Sequence, residues 1–252
     1  MLTTRSDSPD ALTSLSGRLL RPRPPSLVLD AEAIWRSLRA GREQIIASFC
    51  SETECHLELE LTPGRSPMSE ECSAALECCL RGESQKFIAL ESARAPSTVT
   101  LRLRRALAFL GLSCATGAVP TALINIAQVA WGKLPPLIGQ SQPVPAEPLR
   151  RLISVRRPDP RALRILSRAE AHVVDLLVEA KARNQLAQFR GTSPRTIANQ
   201  LAQVYKKLHL TGRIPLLIRI IEANAYVESE PPMLALIDWA SAQATPTNVC
   251  AR

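Results

Sequence analysis

Arg195, Asn199, Gln203 and Lys206 recur at intervals of three and four residues, with Thr196, Ala198, Gln200 and Lys207 interleaved. On a helix, that spacing gathers them on one side. Lys and Arg at such positions pair with phosphate oxygens. The primary amides of Asn and Gln set a donor beside an acceptor, the pattern that base edges present. A second set occupies an earlier stretch: Ser97, Thr98, Thr100, Leu101, Arg102, Arg104 and Arg105. The chemistry on offer is recognition of an anionic polymer, not bond making.

Other reactive side chains form no comparable pattern. Cys50, Cys55 and His56, or Cys72, Cys78 and Cys79, tempt a metal reading, but no pair has the short Cys-x₂₋₄-Cys spacing with a second pair to match it. They read as core or incidental thiols, with a redox switch as the lesser alternative, and no metal or other cofactor is expected. His56, His172 and His209 are scattered, and no nucleophile triad, glycine-rich phosphate loop or paired-carboxylate pattern emerges, so an enzyme is not expected. Glu58 and Glu60 alternate on a strand and read as its solvated face. Trp35, Trp131 and Trp239 read as core anchors.

The elements that must position these residues follow from caps and periodicity. Asp30 caps a helix that ends at Gly41. Strands are expected over 44–49 and 55–61, joined by a polar turn. Ser66-Pro67 starts a helix near 67–81, with Gly82 just past its end. Further helices are expected at 84–91, from Pro96 to about Gly111, and over 119–131. Residues 135–160 are proline-rich and read as a connector with two short strands, 136–140 and 149–155. Helices return at 167–180, 183–190, 194–209 and 214–227, with a last one at 231–242 around Trp239. Residues 1–26 and the final ten read as disordered.

Self-comparison shows an internal repeat. Ala95-Pro96-Ser97-Thr98-Val99 recurs as Ser193-Pro194-Arg195-Thr196-Ile197, and Ile88-Ala89 as Leu186-Ala187, both at an offset of 98. Thr116-Gly117-Ala118-Val119-Pro120 recurs as Thr211-Gly212-Arg213-Ile214-Pro215, and Trp35-x-x-Leu38 as Trp131-x-x-Leu134, so that Trp131 would open the second copy. Each copy holds a short helix, a tight turn with a small residue (Ala93 or Gly191) and a longer helix. Charge follows the repeat: 181–213 holds seven Lys and Arg and no acid, and 80–112 holds six against Glu83 and Glu91.

The second copy resembles the LuxR/NarL-type (GerE-type) helix-turn-helix domain. The family's Leu-Thr-x-x-Glu opening, Ile-Ala pair, Ile-Ser-x-x-Thr-Val and Tyr-x-Lys-Leu before an Arg are matched without a gap. The counterparts are Leu166-Ser167-x-x-Glu170, Leu186-Ala187, Thr192-Ser193-x-x-Thr196-Ile197, Tyr205-Lys206-Lys207-Leu208 and Arg213. The first copy matches more loosely, through Ile88-Ala89, Thr98-Val99 and Leu110-Gly111-Leu112. The resemblance implies base contacts from Ala198, Asn199 and Ala202, and from Thr100, Leu101 and Arg104. Ala198 and Thr100 depart from the Lys often found at the first of these positions, and Ser92, Arg94 and Arg190 stand where the family is usually apolar. The family's fourth helix commonly dimerises, which implies contacts from Ile214, Leu217, Ile218, Ile221, Leu123 and Ile126, either between the two copies or between two chains.

The chain has 252 residues, with 31 Lys and Arg against 23 Asp and Glu, a formal charge of +8. Aromatics are only 4%, so the core must be aliphatic. No apolar run reaches the roughly 20 residues that span a bilayer, and the N-terminus carries no export pattern. The expected fold is mainly α with small β-hairpins: two tandem four-helix helix-turn-helix modules, each preceded by a helix and a strand pair. The boundaries are 27–132 for the first and 133–229 for the second, with a tail at 1–26 and a helix and tail at 230–252. The expected function is a cytoplasmic, nucleoid-associated bacterial transcriptional regulator that binds double-stranded DNA. The alternative is a pair of degenerate modules that bind another regulator or RNA polymerase.

Overall fold

The computed structural model describes residues 27–112, 119–145, 147–179 and 183–229. The tails at 1–26 and 230–252, the helix expected around Trp239, and Thr116-Gly117-Ala118 lie outside them. The strands are β1 Leu27–Leu29, β2 Glu43–Cys50, β3 Glu54–Leu61, β4 Leu137–Val144 and β5 Glu147–Arg156. The helices are α1 Ala31–Arg39, α2 Glu70–Leu80, α3 Gln85–Glu91, α4 Pro96–Phe109, α5 Thr121–Ala130, α6 Arg168–Val178, α7 Arg183–Phe189, α8 Pro194–Lys207 and α9 Arg213–Ser229, with a 3₁₀ turn at Pro160–Ala162.

The expected fold class is overturned. The strands do not form small separate hairpins. They join in one five-stranded antiparallel sheet, in the order β1-β4-β5-β3-β2, which receives strands from both expected modules. The reason lies in β3. Its odd positions Cys55, Leu57 and Leu59 are buried, and a hairpin alone leaves such a row half covered. Pairing with β5 sets Leu57 opposite the buried Ile153 and Cys55 opposite the buried Val155. Both β4 and β5 are longer than the expected short strands because they pair with each other out to Val144 and Glu147, and β5 also pairs with β3 from Arg150 to Arg156.

Helices α1 and α5 cover the apolar side of the sheet. The Asp30 carboxylate accepts from the Ala33 amide at 2.8 Å and fixes the start of α1, and Ala31, Ile34, Trp35 and Leu38 point inward at helical spacing. Trp35 meets Trp131 edge to face, with ring centroids 5.6 Å apart. Trp131 is the C-cap of α5 rather than the start of a second copy, so the two tryptophans are neighbours in the core and not equivalent residues. On the sheet's other side, Glu58 is buried rather than solvated. Arg150 reaches the carboxylates of Glu58, at 3.7 Å, and Glu60, at 3.0 Å.

Two three-helix groups flank the sheet. Helices α2, α3 and α4 have 11, 7 and 14 residues, and α6, α7 and α8 have the same lengths. Each begins 98 residues after its counterpart. Helix α2 starts after Ser69, later than the expected Ser66-Pro67. The first group is pinned to the sheet where α4 ends. The Ile45 amide donates to the Leu110 carbonyl at 2.9 Å, and Gly111 follows at φ +84°. A Cβ at Gly111 would stand 2.1 Å from the Ile45 carbonyl oxygen, so glycine is required by both backbone and space. The second group is tied differently. Thr121 at the start of α5 donates to the Val178 carbonyl at 2.8 Å, and Arg157 bridges the Ser51 carbonyl and the Asp175 carboxylate.

Candidate nucleic-acid interface

The second helix-turn-helix is built from its caps. The Ser167 hydroxyl accepts from the Glu170 amide, while the Glu170 carboxylate accepts from the Ser167 amide at 2.7 Å, a reciprocal box that starts α6. Glu170 also binds Lys207, 2.8 Å from its ammonium. Two pieces of the sequence motif, Leu166-Ser167-x-x-Glu170 and Lys207-Leu208, are thereby two ends of one interaction. The Lys207 hydrogen bond, followed by the Ser167 amide, holds the Glu170 carboxyl below its ordinary range.

Helix α7 buries Leu186 and Ala187, and Gly191 turns the chain at φ +60°. The Thr192 amide returns to the Ala187 carbonyl at 2.9 Å. Ser193 then caps α8, accepting from the Thr196 amide at 3.1 Å, with Pro194 in the first turn. Ile197, Leu201 and Val204 fasten α8 to the helices beneath. The opposite side presents Arg195, Thr196, Asn199, Ala202, Gln203 and Lys206 to solvent. Ala198 is half-buried. Two expected contacts are committed elsewhere. Lys207 is neutralised by Glu170, and Gln200 turns inward, its Oε1 buried and without a hydrogen bond among the described residues. The Thr196 hydroxyl is engaged by Ser193 at 2.9 Å.

The first helix-turn-helix repeats the backbone of the second. Ala93 adopts φ +49° where Gly191 stands 98 residues later, and the Arg94 amide returns to Ala89 at 3.0 Å as Thr192 does to Ala187. A non-glycine residue in this left-handed region is uncommon, so the turn is imposed by the fold. Side chains diverge. Ala95 offers no cap where Ser193 does. Arg102 is bound by Glu71 at 3.0 Å, and the Thr100 hydroxyl is satisfied by the Pro96 carbonyl and Gln85. Ser97, Leu101, Arg104 and Arg105 are exposed, while Thr98 is half-buried. Of the expected cations on α4, Arg104 and Arg105 enter no ion pair among the described residues.

The expected dimer contacts are interior. Leu123, Ile126 and Leu217 are fully buried, and Ile214, Ile218 and Ile221 nearly so, because α9 packs on α5 within the one chain. These side chains belong to the chain's own core, so the contact seen is the one between the two copies within one chain. Sequence reasoning missed the exposed Phe87 and Leu90 on α3, whose signal was available: the 98-residue offset sets them against Gln185 and Gln188.

Cys50 and Cys55 face each other across β2 and β3 with sulfurs 2.7 Å apart. Among the described residues no three His, Cys, Asp or Glu side chains gather as a metal site, and no helix is long and apolar enough to cross a membrane. Set against known protein families, curated proteins and solved structures, the chain matches none of them.

Proposed function

We propose that the chain is a non-enzymatic DNA-binding regulator that grips duplex DNA through its second helix-turn-helix, and that it therefore acts at the nucleoid. The observation that carries this reading is the exposed row on α8. Arg195, Asn199, Gln203 and Lys206 lie on the side opposite Ile197, Leu201 and Val204, on a helix whose start is fixed by the Ser193 cap and the Gly191 turn. A helix held this way enters the major groove with its N-terminal half at the base edges. Arg195 and Lys206 then neutralise phosphates and release counterions, while Asn199 and Gln203 probe bases.

The test is binding of a mixed-sequence duplex pool across a salt series, with Lys206→Ala and Asn199→Ala beside the wild type. Lys206→Ala weakens binding to all sequences and lowers the salt slope by about one phosphate's worth. Asn199→Ala keeps the slope and loses about 1–3 kcal/mol of discrimination at one base pair. Wild type that shows no salt-dependent binding to any duplex overturns the reading.

A further inference from the structure

The two helix-turn-helix units share a backbone and differ in what they show to solvent. Helix α7 carries Gln185 and Gln188, and α8 carries Asn199. The residues 98 positions earlier are Phe87, Leu90 and Leu101, which are 46%, 80% and 47% exposed. They point away from the core, since Ile88 and Ala89 on α3 and Val99 and Leu103 on α4 take the buried positions. A Thr100–Gln85 hydrogen bond of 3.2 Å joins the two helices that carry them. Three apolar side chains therefore stand where the second unit has three amides. A phosphate backbone gains nothing from them, a thymine methyl is the one base-edge group they could contact, and burying them against a polar polymer strands its hydrogen-bonding groups.

Exposed cations accompany this apolar set. Lys86, Arg94, Arg104 and Arg105 are solvent-facing and enter no ion pair among the described residues. Two copies of such a face repel each other, whereas a partner with apolar side chains flanked by carboxylates satisfies both features. We propose that the outward face of α3 and α4 is a docking surface for an acidic amphipathic helix of a partner protein, anchored by Phe87, Leu90 and Leu101 and steered by the four cations. This proposal stands apart from the DNA reading of the second unit, since it uses none of that unit's residues.

The experiment passes two displayed pools of helical peptides over the full chain. One pool is patterned with Leu, Ile and Phe on one face and Glu and Asp on the other; the second replaces the acids with Lys. Its variant arm is Phe87→Gln/Leu90→Gln, which copies the second unit's residues onto solvent-facing positions, with circular dichroism checking that the variant is folded. The expected result is enrichment of the acidic pool on wild type, with selected peptides binding at least about tenfold more weakly to the variant. Five results overturn the proposal, and four concern the docking face itself: no enrichment over the Lys pool; equal binding by the variant; concentration-dependent self-association of wild type that the variant abolishes, which makes a second copy the occupant; or binding seen only after removal of residues 230–252, which makes that segment the occupant. Loss of duplex binding in the Phe87→Gln/Leu90→Gln protein also overturns it, because the face would then belong to DNA. Failure of all duplex binding in wild type touches the second unit alone.

Discussion

His56 and Ser154 face each other on β3 and β5, with Nδ1 and Oγ 2.8 Å apart, and they are 98 residues apart in the chain. That separation is the offset between the two helix-turn-helix units. Its consequence shows in the neighbouring pairs. Cys55 opposes Val155 and Leu57 opposes Ile153, and a shift of 98 carries Cys55 to Ile153 and Leu57 to Val155. The pairing maps onto itself with its partners exchanged, so a local two-fold axis runs through the His56–Ser154 pair. The sheet is the seam between the two halves, and this hydrogen bond lies at its centre. The symmetry ends at the sheet margins, where β1 covers β4 but the Leu110 carbonyl meets β2.

Ser154→Ala tests that seam. Both residues are buried, His56 to 1% exposure. Removing the hydroxyl takes a hydrogen-bond partner from a buried imidazole, which costs about 1–3 kcal/mol. Chemical denaturation measures it. A loss within the ~0.5 kcal/mol of ordinary surface changes shows that the bond does not hold the two halves together.

The helices were legible in the sequence because their signals are local. Asp30, Ser84, Ser167 and Ser193 each cap a helix as their residue types imply, and Gly191 turns where a small residue is needed. The sheet was not legible, because its pairing is non-local. The alternation of Cys55, Leu57, Leu59 and Leu61 along β3 places the first three inward, while Leu61 is exposed and His56 and Glu58 on the other side are buried; nothing near position 57 says that Ile153 will lie opposite. The offset of 98 was visible in the helices. Extending it back to His56 points at Ser154, yet the two residue types differ, so no match of residues marks the pair. The exposed face of α8 was legible from spacing, while the capture of Lys207 by Glu170 needed the tertiary structure.

A second non-local contact gives a test of the sheet's other end. Arg151 on β5 grips both oxygens of Glu43 on β2, at 2.6 and 2.7 Å, and the Glu43 side chain is only 5% exposed. Glu43→Gln removes the charge from a two-point hydrogen-bonded pair and is expected to lower stability by about 1.5–3 kcal/mol. Glu43→Leu combined with Arg151→Leu costs less than Glu43→Leu alone, since no charge is then stranded. A double variant less stable than the single one rejects this account.

The Glu170–Lys207 pair predicts a pH dependence with a definite sign. Glu170 has its folded pKa lowered by the Lys207 hydrogen bond and by the Ser167 amide, so it binds protons less readily folded than unfolded. Its contribution is present above the ordinary glutamate value of about 4.3 and is lost as pH falls through the lowered folded value. Glu170→Gln keeps the capping geometry and removes the charge. Thermal midpoints of the two proteins should differ at neutral pH and converge in acid. A gap of constant size from neutral to acid pH shows that titration of Glu170 is not its source.

The cysteines differ in reactivity for reasons the packing supplies. The Cys55 thiol hydrogen-bonds with the Cys50 sulfur, and that interaction, aided by the Arg157 charge, lowers the Cys50 pKa against the opposing effect of burial. Cys79 is pushed up to about 11 by burial, and Cys78 to about 11 by burial and a hydrogen bond with Glu83. A lowered value means more thiolate at neutral pH, and the thiolate is the form that alkylates. In a Cys114→Ser/Cys250→Ser background, iodoacetamide at neutral pH should therefore label Cys50 first, with Cys78 and Cys79 following only as pH nears their raised values. Mass spectrometry of timed digests reads the order, and Cys50→Ser should remove the fast phase. Labelling of Cys78 ahead of Cys50 at neutral pH would mean that the Cys50–Cys55 hydrogen bond does not control thiolate formation at the hairpin.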